Sequence, residues 1–122
     1  MKLRAQHARD YLEAATDTQT LHPTRTNVIA SNAVLAGIAA ADAICGRVLK
    51  VRSVGEDHKE AVALLSTATM NGPEYARNLN RLLDIKTTSQ YSALTIAQSS
   101  SDKAIAWAGR LVDAMEAVLR AP

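Results

Sequence analysis

Residues Thr26 to Val51 carry one long helical pattern, rich in alanine, with a single acid, Asp42, beside its apolar stripe. Val28, Leu35, Ile38, Ile44, Cys45, Val48 and Leu49 recur at three- and four-residue steps, which places them on one side of an α-helix. Four further segments repeat that period, and none alternates as a half-buried strand does. The expected fold is all-α: a single up-and-down antiparallel bundle of about five helical segments, one domain over residues 1–122.

The residues available for a core sharpen this reading. There is no phenylalanine, one tryptophan (Trp107) and three tyrosines (Tyr11, Tyr75 and Tyr91), so alanine, leucine and valine must fill the interior. Alanine brings helix axes close, and Leu, Ile and Met fill what would otherwise be cavities. The net charge of +2, with both signs mixed along the chain, does not by itself imply nucleic-acid binding. One cysteine excludes an internal disulfide, and the place of Cys45 on the stripe reads as a small buried hydrophobe. His7 and His22 lie in different segments, so neither a metal site nor a cofactor is expected. Ser31, Asn32, Gly37 and Asp42 interrupt the most apolar run, and the N-terminus has no apolar signal core. The expectation is a cytoplasmic protein with no membrane partner.

Along the chain, Lys2 to about Thr16 reads as a first helix with Leu3, Ala8, Tyr11, Leu12 and Ala15 inward. Thr18 to Thr24 is a connection. After the long second helix, Gly55 marks a turn, and Asp57 with Glu60 has capping-box spacing for a third helix over Asp57 to Thr69. Asn71-Gly72-Pro73-Glu74 breaks the chain, and a fourth helix runs from Pro73 to about Ile85. Lys86 to Gln98 is rich in Thr, Ser and Gln, with Tyr91, Leu94 and Ile96 as anchors. A last helix, capped by Ser99 or Ser101, carries Ile105, Ala108, Leu111, Val112, Met115, Val118 and Leu119 inward.

Several of these residues carry a family resemblance. They are Ala39-Ala40-Ala41-Asp42-Ala43-Ile44 on the second helix, His58 with Ala61 to Leu65, and Leu82-Leu83-Asp84-Ile85-Lys86. The partly extended Ser89-Gln90-Tyr91 and the closing helix from Asp102 to Leu119 complete the set. In helix order and these short patterns the chain resembles the HEPN superfamily of small helical bundles. The resemblance implies an up-and-down bundle, a homodimer and, in many relatives, metal-independent RNase activity through an Arg and a His four to six residues apart. Such relatives are often toxins paired with a nucleotidyltransferase antitoxin, or RNA-cutting parts of defence systems. Members without that signature are non-catalytic.

One stretch fits the signature formally: Arg52 and His58, with five residues between. A histidine titrating near neutrality can move the proton of an RNA 2′-hydroxyl, and an arginine can stabilise charge growing on the phosphate. In relatives the signature lies late; here the late position reads Lys86-Thr87-Thr88-Ser89-Gln90-Tyr91, with Lys for Arg and no His. Arg52 also reads as a cation near a helix C-terminus, and His58 as a surface residue in a first helical turn. Asp42 should be shielded and need a partner, with Lys86, Arg47, Arg52 or His58 as candidates. Beside His58 it would orient the imidazole. Lys86 suits a phosphate and Tyr91 a stacked base, although both also serve as structural anchors. The leading reading is a non-catalytic HEPN-like module that binds nucleotide, RNA or a protein partner. The alternative is a HEPN-type RNase using Arg52 and His58.

Overall fold

The structure, a computed structural model, describes residues 2–51, 58–91 and 96–122, with 88–91 described by backbone alone. Five helices pack together: α1 (Lys2–Leu21), α2 (Thr26–Val48), α3 (Lys59–Ala68), α4 (Gly72–Tyr91) and α5 (Gln98–Arg120). No strand occurs among the described residues, so the fold is the expected all-α bundle.

α2 is its axis. It touches all four other helices, most extensively α1 and α5. Every residue from Ala36 to Cys45 is buried, so α2 is covered on all sides over nearly three turns. The single stripe expected for it is therefore not what the chain uses. Ile38, Ile44 and Cys45 are buried as expected, but Val28, Leu35 and Val48 are 48%, 41% and 42% exposed. Alanines form most of the packed surface because they let neighbouring helices approach; Ile29, Ile38 and Ile44 are buried among them, whereas Val28, Leu35 and Val48 lie at less covered positions. By length and hydropathy α2 could cross a membrane, yet 78% of its most apolar window is buried within the bundle.

Four cross-links set helix directions. Gln19 near the end of α1 donates to Asp102 near the start of α5, while Arg9 pairs with Glu116. These contacts make α1 antiparallel to α5. The Asn27 side-chain oxygen accepts the Ile96 N–H (3.1 Å), and Arg47 donates to the Ala121 carbonyl (3.0 Å). Hence α2 and α5 run side by side in the same direction, with α1 antiparallel to both.

Element ends differ from the sequence reading for physical reasons. α1 continues through the expected connection to Leu21 because Thr16, Thr18 and Thr20 donate their hydroxyls to carbonyls four residues back. Leu3, expected inward, is 68% exposed. α4 stays helical to Tyr91, so Ser89-Gln90-Tyr91 is not extended. α5 starts at Gln98 with Ala97 as its N-cap, and Ser101 donates to the Gln98 carbonyl rather than capping. α3 starts at Lys59 with His58 as N-cap; Asp57 of the expected capping box lies outside the described residues. Trp107 is half-buried on α5, with the Arg81 guanidinium 5.7 Å above its ring.

Two glycines mark close approaches. A Cβ on Gly37 would stand 2.5 Å from Leu82 Cδ1 and 3.3 Å from Leu111 Cδ1, where α4 and α5 press on α2. A Cβ on Gly72 would meet the carbonyl oxygens of Ser66 and Leu65, which is why the α3–α4 link needs glycine there.

Just beyond α2, Lys50 adopts φ 63°, the left-handed conformation that usually falls to glycine after a helix. Lys50→Gly is expected to stabilise the fold by up to about 1 kcal/mol, seen as a higher midpoint in urea.

Candidate functional site

The inward stripe of α1 is Arg4, Ala8, Tyr11 and Ala15, on which Arg4 is the one charge. Ala5 and Ala8 are fully packed, so α1 lies close to α2 and the Arg4 side chain reaches across it. Its Nε and Nη2 both donate to Asp42 Oδ2, at 3.2 and 2.9 Å. Asp42 is 8% exposed and would otherwise be a buried carboxylate without compensation. The expectation that Asp42 is shielded and paired holds, but its partner is Arg4 and not Lys86, Arg47 or His58, three of the cations considered from sequence. The α1–α2 hairpin sets the start of α1 against the second half of α2, a pairing across 38 positions that no local spacing announces. Arg4 Nη1 also lies 3.2 Å from His7 Nδ1, which must then accept, leaving the ring proton on Nε2.

Burial, with the nearby Asp42 charge adding to it, pushes the Cys45 thiol up to about 11. It is a packed, protonated side chain at neutral pH, as its stripe position suggested.

His58 and Lys86 come together. His58 precedes α3, and α4 returns along α3 far enough to bring Lys86 Nζ within 3.3 Å of His58 Nε2. Because the ammonium can only donate, Nε2 is the acceptor and the imidazole proton sits on Nδ1. Lys86 thus meets a histidine supplied from 28 residues earlier. Asp42 does not join them: its hydrogen bonds run to Arg4, so it orients a guanidinium and not the imidazole. Arg52 lies outside the described residues. Tyr91 ends α4, and its side chain too lies outside them. Among the described residues there is no cluster of His, Cys, Asp and Glu that could hold a metal ion.

The other strong ion pair joins α1 to α5. Arg9 donates through Nε to both carboxylate oxygens of Glu116 (3.2 Å each) and through Nη2 to Oε1. The hydrogen bond from Arg9 holds the Glu116 carboxyl below its ordinary value, with Arg120 adding to the effect. Sequence reading missed both arginines. The signal available for Arg4 was a lone charge on an inward stripe; for Arg9 there was none.

Compared with protein-family models, with characterised proteins and with solved structures, the chain shows no significant match to any.

Two outcomes follow. Arg4→Ala strands the Asp42 charge and should cost about 1.5–3 kcal/mol in chemical denaturation at pH 7. Glu116 has a lowered native pKa, so its contribution is complete above the unfolded value of 4.5 and lost as pH falls through the native one. Wild type should therefore melt slightly above Glu116→Gln at pH 7, and the two should converge near about pH 2. Thermal melts at both pH values check this.

Proposed function

We propose that this chain is a non-catalytic HEPN-like helical module that binds RNA through its backbone phosphates at His58 and Lys86. The contact between these two side chains carries the reading. A phosphate oxygen beside this contact takes a charge-assisted hydrogen bond from the Lys86 ammonium, which the accepting His58 Nε2 holds in place, without reading a base. The pairing of Asp42 with Arg4 supports binding over catalysis, since the acid that would orient the imidazole serves a structural pair instead. Lys86 in place of the late arginine supports the same choice. The homodimer, the nucleotidyltransferase-type antitoxin and a setting in a toxin–antitoxin or defence system belong to the resemblance and rest on it alone.

The second reading, a metal-independent RNase, draws on the same contact, because it places His58 beside a cation able to stabilise a charged phosphate. Arg52 would assist if it reaches them.

One experiment separates the two. Wild type, His58→Ala and Lys86→Ala, each verified as folded by circular dichroism, are mixed with a labelled single-stranded RNA pool in EDTA. Binding is read by anisotropy and cleavage on a gel. The expected result is intact RNA throughout, with weaker binding by Lys86→Ala and a salt slope shallower by about 0.7, the single-strand value for one phosphate contact. Cleavage by wild type that disappears in folded His58→Ala would replace this reading with the RNase. Binding unchanged in both variants would overturn the site.

A further inference from the structure

Where α1 begins and α2 and α5 end, the bundle opens into a cleft of about 650 Å³. Lys2, Arg9, Arg47 and Lys50 line it, with Gln6 between them, and among the described residues no Asp or Glu does. The concentration of charge is local. Over the whole chain fourteen Lys and Arg face twelve Asp and Glu, and with these four set aside ten face twelve. The cleft is thus strongly cationic on a protein that is otherwise slightly acidic.

The internal demand for these cations falls short of their number. Each helix C-terminus carries roughly half a negative charge, so α2 and α5 together take up about one. Glu116 neutralises Arg9. Arg47 donates to the Ala121 carbonyl and Lys50 to the Arg47 carbonyl, contacts to neutral groups that leave their charges in place. About two positive charges remain uncompensated inside a concave surface, where low-dielectric walls concentrate their field. Lys50 adds a second, independent sign. Its ammonium is held at the cleft by a left-handed backbone that a lysine adopts only at a cost in strain.

We propose that this cleft is a binding site for a compact anion of two or more linked phosphates, such as an inorganic oligophosphate or the phosphate tail of a nucleotide. Its shape and charge favour that class over a single phosphate, which would leave part of the excess charge unmatched. Among the described residues no aromatic side chain lines it, so recognition stays with the phosphates. It shares no residue with the His58–Lys86 contact and does not depend on the function proposed for that pair.

Isothermal titration calorimetry with sodium tripolyphosphate, ATP and AMP, at low ionic strength without divalent metal, tests it. The expected result is measurable tripolyphosphate binding, ATP within a few-fold of it, and AMP much weaker. Lys50→Gly combined with Lys2→Ala removes two exposed ammonium groups while relieving backbone strain, so the fold is retained; binding should weaken by about tenfold or more. Lys103→Ala, at the start of α5, should leave it unchanged. No tripolyphosphate binding by wild type, or equal binding by the double variant, overturns the site. ATP binding far tighter than tripolyphosphate overturns recognition through phosphates alone.

Discussion

Everything in this bundle depends on α2 being small enough on all sides to be surrounded. A helix built largely from alanine presents a thin cylinder, and four neighbours can close on it without leaving voids. The bulk of the core is then supplied chiefly from outside: Leu65 from α3, Leu79 and Leu82 from α4, and Leu111 and Met115 from α5 are completely buried. Among the described side chains no aromatic ring takes part at that depth, since Tyr11, Tyr75 and Trp107 only pack against the margin. Gly37 shows how tight the closure is, because even a methyl group there would collide with Leu82.

Such a helix has little tolerance for charge, which gives the Arg4–Asp42 pair its importance. A carboxylate one-tenth exposed is stable only with charged donors aimed at it, and Arg4 supplies two N–H groups to one oxygen. The pair also fixes how α1 slides along α2, since a shift of one turn would leave both charges without partners. Arg9–Glu116 and Gln19–Asp102 do the same between α1 and α5, nearer the surface and for less energy each. The closure of α2 thus sets where polar chemistry occurs: on the flanks, between neighbours, and at the ends.

Helical periodicity in the sequence was enough to count the helices and to place α3, α4 and α5 within a few residues at their starts. It failed on α2 because a stripe at helical spacing implies one buried face, and ten consecutive buried residues have no face. It cut α1 short because threonine was read as a loop former, although its hydroxyl can satisfy a helix carbonyl. The shielding of Asp42 was legible from its neighbours Ile38, Cys45 and Leu49; its partner was not, because nothing local links positions 4 and 42. His58 and Lys86 were each singled out, but their meeting required the return of α4 along α3, which no spacing encodes.

The same topology explains why one end of the molecule is cationic. With α1 antiparallel to both α2 and α5, the partial negative charges of two helix C-termini lie together instead of cancelling across the bundle. Basic residues in those last turns, Arg47 on α2 and Arg120 on α5, are the stabilising response. Those two arginines already meet the roughly one negative charge of the two C-termini. Lys2 and Lys50 take it further: Lys2 stands at the start of α1, where a cation opposes the helix dipole, and Lys50 occupies a conformation that opposes its own side chain. Two cations placed against local preference, on a chain whose overall excess is only two charges, go beyond what the two helix C-termini require. An anionic ligand in the cleft accounts for both.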